Sequence, residues 1–208
     1  MDITPKTIKE SILKMAALVE QNLRQCFDAQ ISLQVMTDVE NQINKMHKDI
    51  DDECYKYLAL AAPHAKDLRI AITVLKMNCD IERLGDIAIS IKRAHQKLKQ
   101  IPMEIDHMCG EVHQMVNNAF SAFDQGDVNL AEEVIRHDEE INTLEVRIIK
   151  GYIEIANSGK IRVKDALRII EIAKNLERLG DHATNIAEDV IFLESSKDIR
   201  HTNKLKGA

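Results

Sequence analysis

The chain contains no tryptophan, and only 3% of its residues are aromatic, a poor supply for the packed faces of a β-sandwich or barrel. Three prolines and seven glycines among 208 residues leave few enforced breaks, so the segments between turns are long. There is no excess of basic residues: the formal charge is −6, with an isoelectric point near 5.8, which argues against nucleic acid and anionic lipid as partners. The densest basic run, Lys92-Arg93-Ala94-His95-Gln96-Lys97-Leu98-Lys99, reads as a solvated helix end whose cations complement the helix dipole.

Cys26, Cys54, Cys79 and Cys109 form no C-x-x-C pair, so neither a zinc ribbon nor a dithiol redox motif is indicated, and reduced thiols in a cytoplasmic protein are expected. Met1-Asp2-Ile3-Thr4-Pro5 lacks the basic and apolar regions of a signal peptide. No uncharged apolar run approaches the ~18 residues of a membrane span, so direct membrane insertion is not expected. A glycine-rich phosphate loop, G-x-S-x-G and H-E-x-x-H are likewise missing, which leaves catalysis without positive support.

What the chain does hold is apolar content of 45%, dominated by helix-favouring residues, and a repeat. Asp80-Ile-Glu82-Arg83-Leu84-Gly85-Asp86-Ile87-Ala88 is answered by Asn175-Leu176-Glu177-Arg178-Leu179-Gly180-Asp181-His182-Ala183, each E-R-L-G-D residue lying 95 positions after its counterpart (82 to 177, 86 to 181). Upstream, Val39-Glu40-Asn41-Gln42-Ile43-Asn44 matches His137-Asp138-Glu139-Glu140-Ile141-Asn142 at a separation of 98 (43 to 141). Two half-chain repeats, each a supersecondary unit, are therefore the first organising fact.

Helical apolar spacing places six helices along this duplicated plan. Thr4-Pro5 opens the first, which is expected to run to about Met36. The second starts near Asp38 and ends at Ala61-Ala62-Pro63, and the third runs from His64 to about Lys99. After the break at Ile101-Pro102, helices are expected over Pro102–Phe123, Val128–Ala156 and Arg162–Glu194. The fold class is all-α, with two tandem three-helix bundles at 1–100 and 101–194, stacked end to end or side by side, and a polar tail at 195–208.

On the third helix of each half, residues four apart share a face, so Glu82 projects with Asp86, and Glu177 with Asp181. Taking Leu179 as the core direction, Glu177, Asp181, Thr184 and Glu188 fall roughly opposite. One reading is a solvated stripe relieved by Arg83 and Arg178. The other is a site for magnesium, manganese or iron, because hard oxygen ligands on neighbouring helices suit those ions. Glu40 and Asn44 in the first half, and Asp138 and Asn142 in the second, are the neighbouring candidates. Gly85 and Gly180 each cost a helix about 1 kcal/mol relative to alanine, so close helix packing at both is expected. His182 lies nearer the core edge than the stripe and reads as a packed or hydrogen-bonded side chain. Met15, Met36, Met46, Met77, Met103, Met108 and Met115 read as core filler.

These motifs, with Pro63-His64-Ala65-Lys66-Asp67-Leu68-Arg69 and the C-terminal Val190-Ile191-Phe192-Leu193 and Asp198-Ile199-Arg200-His201, resemble the PhoU family over nearly the whole chain. The resemblance implies two three-helix bundles in a non-enzymatic cytoplasmic regulator, expected as a homodimer. Its implied partners are the ATPase of a phosphate ABC transporter and a sensor histidine kinase, with phosphate uptake and phosphate-starvation genes restrained when phosphate is ample. Family metal clusters use E/D-x-x-x-D pairs on two helices of each bundle, and the third-helix pairs match that pattern. The second-helix pairs, Glu40/Asn44 and Asp138/Asn142, each lose an anion, which points to one ion of iron, manganese, zinc or magnesium, or to none. Two other functions compete with the regulator: an accessory protein of a different carrier, and a metal-dependent helical enzyme. The enzyme calls for Glu-x-x-His pairs on two facing helices, and no such set of pairs occurs.

Overall fold

The computed structural model describes residues 3–196 and Ile199, so the expected polar tail and the motif at 198–201 lie almost wholly outside the described residues. Six α-helices and no strand occur among them: α1 Pro5–Gln25, α2 Leu33–Ala61, α3 Ala65–His95, α4 Met103–Gln125, α5 Val128–Asn157 and α6 Val163–Ser195. Their ends follow local chemistry. Thr4 and Thr7 form a reciprocal capping box at the start of α1, with Pro5 in the first turn. The Asp127 side chain accepts from the amides of Asn129 and Leu130 to start α5, and Gly126 at φ 67° closes α4 in a conformation that suits glycine.

The first break corrects the expected boundary, since Met36 belongs to α2 rather than α1 and α1 ends eleven residues earlier, at Gln25. Asp28 accepts from the Gln30 amide at 2.8 Å and Ser32 caps α2 through Val35 N, so side-chain acceptors turn the backbone here. Ile31 and Leu33 pack on the core from this turn, which preserves apolar spacing across the break and hides it from periodicity.

Helices α1, α2 and α3 pack together, α4, α5 and α6 do the same, and the halves lie side by side with α3 along α6 and α1 touching α4. The cross-connections show α3 and α6 to be antiparallel: Lys66 pairs with Glu194 at 3.0 Å, whereas Arg168 donates to the Lys97 carbonyl at 3.1 Å. One continuous apolar cluster runs through both halves, including Ile12, Ile43 and Leu84 from the first and Val112, Ile141 and Leu179 from the second. Burial of these side chains, at about 1.5–3 kcal/mol each, holds the bundles together.

Met15, Met36, Met77, Met108 and Met115 are buried as expected, but Met103 is 82% exposed. It is the first residue of α4, ahead of the buried stripe that begins at Ile105. Lys92 corrects the reading of the basic run as solvated. It is only 1% exposed, and its ammonium donates to the Asp28 carbonyl, so this cation secures the α1–α2 turn from inside.

Candidate functional site

The duplicated motif occupies equivalent places in the two halves. A Cβ built on Gly85 would meet Ile43 at 3.3 Å and Val19 at 3.8 Å; one on Gly180 would meet Ile141 at 3.5 Å and Met115 at 3.8 Å. Ile43 and Ile141 are the residues matched by the upstream repeat. Each glycine therefore lets the third helix of its half approach the second and first, as close packing predicts. That approach sets the acidic residue three positions before each isoleucine, Glu40 on α2 and Asp138 on α5, beside the E-R-L-G-D carboxylates.

In the first half, Glu40 and Asp86 line one cavity. Asn44 donates its amide to Glu40 Oε1 at 2.5 Å, and Arg83 lies 3.5 Å from Glu82 and 3.1 Å from Asp86. The carboxylates there are already met by a guanidinium and an amide. In the second half, Asn142 donates to Asp138 Oδ2 at 3.2 Å, repeating the Asn44–Glu40 arrangement. Arg178 instead donates to the Asn175 side-chain oxygen at 3.4 Å. Burial, followed by the charges of Asp181, Glu145 and Asp138, pushes the Glu177 carboxyl up to about 7, while Arg178 pulls it weakly down. The two copies thus share a sequence motif but differ in electrostatics.

The expectation that Glu177, Asp181, Thr184 and Glu188 all face away from the core needs correction. Asp181 is exposed, but Glu177 and Glu188 are partly covered, and Thr184 is only 7% exposed, with its hydroxyl 3.5 Å from Asp138 Oδ1. The reason is that α6 is flanked by α3, α4 and α5, which leaves a much narrower free strip than a helix with two neighbours would have. Glu145 completes the acidic group. Its spacing signal, seven residues after Asp138 and on the same face, was present in the sequence.

Among the described residues, no three His, Cys, Asp or Glu side chains are arranged to hold a metal ion. In the first half Arg83 pairs with Glu82 and Asp86, two of the carboxylates a cation would use. In the second half burial first, and the neighbouring carboxylates after it, hold the Glu177 carboxyl high. Glu177, Asp181 and Asp138, with the Asn142 amide oxygen, are hard-oxygen groups of the kind a divalent ion takes, but they are not gathered around one point in this structure. The one Glu-x-x-His spacing, Glu104 to His107, lies at the exposed start of α4.

Between the halves His182 is a hydrogen-bonded side chain, as its position on α6 suggested, but its partner Asp80 and the Lys76–Asp189 pair had no sequence signal. His182 Nδ1 lies 2.7 Å from Asp80 Oδ1, and Asn185 donates to the same oxygen at 3.1 Å. Lys76 pairs with Asp189 at 3.4 Å and stands 5.0 Å from the Phe192 ring centroid. Their pairing depends on how α3 meets α6, about a hundred residues away in sequence, and no local spacing reports it.

A duplicated chain of two three-helix bundles, each carrying an E-R-L-G-D helix at a shared seam, defines a class of tandem helical proteins with acidic helix faces. The PhoU domain profile matches residues 12–94 and 105–190, and the chain belongs to the PhoU family. It is 33% identical over 207 residues to a phosphate-specific transport system accessory protein PhoU homolog 1 of Thermotoga maritima, covering 93% of this chain and 88% of that protein. A homolog from Pseudomonas aeruginosa is also 33% identical, over 93% of this chain and 85% of its own length. The crystal structure of PhoU from Pseudomonas aeruginosa superposes with a TM-score of 0.87 at 32% identity, covering 92% of this chain and 97% of that one. The regulatory protein PhoU from Streptococcus pneumoniae shares the fold, with a TM-score of 0.84 at 23% identity.

Proposed function

We propose that this chain is a phosphate-transport accessory protein and acts as a cytoplasmic negative regulator of phosphate uptake and of phosphate-starvation signalling. In this reading it is a non-enzymatic adaptor, working as a homodimer between the ATPase of a phosphate ABC transporter and a sensor histidine kinase. The observation that carries the reading is similarity across 93% of the chain to relatives named for the phosphate-specific transport system. Agreement also comes from the architecture: no helix of the described residues is long and apolar enough to cross a membrane, and long amphipathic helices offer extended faces for protein partners.

A reporter of phosphate-starvation genes tests the regulatory part. In cells lacking the endogenous regulator, the reporter should be active at high phosphate and silenced when this chain is restored. Continued activity with normal expression of the chain would refute the reading. Co-purification of the transporter ATPase with this chain, compared with an unrelated transporter ATPase, tests the adaptor part and separates this carrier from another.

The metal component of the proposal is one exchangeable divalent cation, of iron, manganese, zinc or magnesium, in the second half only. Glu177, Asp181 and Asp138 would be its anionic ligands and Asn142 a neutral one. Elemental analysis of chelator-free protein should show metal that is lost in Asp181→Asn and kept in Asp86→Asn. Loss in Asp86→Asn alone would move the site to the first half. An unmetallated parent protein would remove the cation without touching the regulatory reading.

A further inference from the structure

The cavity beside the first-half carboxylates has a second character. It measures about 320 Å³ and is walled by α2, α3 and α6, with Arg83 and Arg93 reaching it from α3 and Arg178 from α6. Three guanidiniums thus converge where the halves meet, in a chain whose net charge is −6. Arg83 is already paired with Glu82 and Asp86. The other two make no ion pair of this kind: Arg178 donates to the neutral Asn175 oxygen and acts on Glu177 only weakly, and Arg93 makes no hydrogen bond or ion pair among the described residues.

The acids in the wall have partners of their own. Asp86 is held by Arg83, and Glu40 accepts the Asn44 amide at 2.5 Å. Arg83 is shared by Glu82 and Asp86, which leaves Arg93 and Arg178 facing the single carboxylate of Glu40. Ser90, one turn beyond Asp86, adds a hydroxyl that now donates to the Asp86 carbonyl at 3.2 Å and can rotate towards a ligand. Guanidinium groups present planar forks of N–H donors that match the oxygens of a tetrahedral oxyanion. The volume lies at the small end of the range of about 300–1,000 Å³ for small-molecule sites.

We infer that this seam cavity is a binding site for a phosphate group, clamped by Arg93 of the first half and Arg178 of the second. Because the two arginines belong to different halves, an occupied site would tie α3 to α6. The inference is separate from the regulatory reading, since an accessory protein can act without binding phosphate itself, and the reporter assay above is independent of it.

The test is calorimetric titration of the full chain, at fixed ionic strength and without added metal, using inorganic phosphate, phosphoserine and sulfate in separate runs. Saturable binding of phosphate at millimolar or lower concentration is expected, weakened at least tenfold in Arg93→Gln and in Arg178→Gln. Arg147→Gln, which removes an exposed cation on α5, should bind as the parent does. Circular dichroism and melting of each variant show whether it is folded. Binding of phosphoserine but not free phosphate would support the site and identify its ligand as a phosphomonoester. Absence of binding by both phosphate compounds, equal binding of sulfate, or binding unchanged in the folded arginine variants would overturn the inference.

Discussion

Asp80 and His182 stand 102 residues apart and meet at 2.7 Å across the seam between the two halves. The same carboxylate oxygen accepts from Asn185, so one acid on α3 gathers two donors from α6. Both Asp80 and His182 side chains are largely covered, at 17% and 20% exposure, and water replaces such contacts poorly. This arrangement makes Asp80 a fastening point between halves whose apolar core is already continuous.

Removing that acceptor should therefore weaken the whole molecule. Asp80→Ala is expected to lower stability by about 1–3 kcal/mol, because it takes the acceptor from the largely covered His182, while the exposed Asn185 amide turns to water. Urea unfolding measures this, and a double-mutant cycle with His182→Ala should give a coupling of about 0.5–3 kcal/mol. An unchanged urea midpoint in Asp80→Ala would show that the seam relies on its apolar contacts alone.

Lys92 fastens the first half in a different way, reaching through the core edge to the Asp28 carbonyl. Lys92→Met keeps the aliphatic stem but takes away a charged donor, at an expected cost of about 1.5–3 kcal/mol. Hydrogen exchange should quicken specifically in residues 26–32. Unaltered protection there would mean that the Asp28 and Ser32 side chains hold the turn without help.

The helices and the duplication were legible in the sequence because they rest on local information: apolar spacing, turn residues and a motif repeated at a constant separation. Gly85 and Gly180 were legible for the same reason, since a helical glycine is costly unless something needs the space. The α1–α2 break was not, because Ile31 and Leu33 continue the apolar pattern through a turn made by side-chain acceptors. Nor was the unequal chemistry of the two E-R-L-G-D copies. Arg83 turns to its own carboxylates and Arg178 to Asn175, and the residue 95 positions before Asn175 is Asp80, whose carboxylate is committed across the seam. Such choices are made by neighbouring helices, and identical pentapeptides do not reveal them.

The two glycines should respond differently to a methyl group. At Gly180 a Cβ has ordinary contact distances, the nearest being 3.5 Å, so Gly180→Ala should stabilise by up to about 1 kcal/mol through helix propensity. At Gly85 the contact with Ile43 is 3.3 Å, and the side chain must shift, offsetting most of that gain. Thermal melts of the two variants decide the matter; a larger gain at Gly85 would contradict the packing difference.

Cys26 and Cys109, separated in sequence, come together where α1 meets α4, and both are almost fully buried. Donation from Cys26 and then His113, whose Nε2 is 3.8 Å from Sγ, shifts Cys109 down, against burial. The same contact and burial shift Cys26 up. In the native protein, without denaturant, iodoacetamide should modify Cys109 before Cys26, with mass mapping reporting the order. His113→Ala should narrow the difference, and equal rates in the parent protein would remove any role for the imidazole.

Glu177 makes stability depend on pH with a definite sign. Its folded carboxyl titrates at about 7 against an ordinary 4.5, so between these values the folded state retains a proton that the unfolded chain has released. Stability must then fall as pH rises through that window, and the loss is complete above it. Glu177→Gln removes the charge and should melt higher than the parent at pH 8, by about 1 kcal/mol after discounting for solvent screening, with the difference vanishing below pH 4.5. A divalent cation at Asp181 and Asp138 would displace the same proton. Added manganese should therefore raise the parent's melting temperature more at pH 8 than at pH 5, and should do little in Asp181→Asn. If Glu177→Gln melts with the parent at every pH, the carboxyl is adequately solvated and the acidic group has no unmet charge for a cation to satisfy.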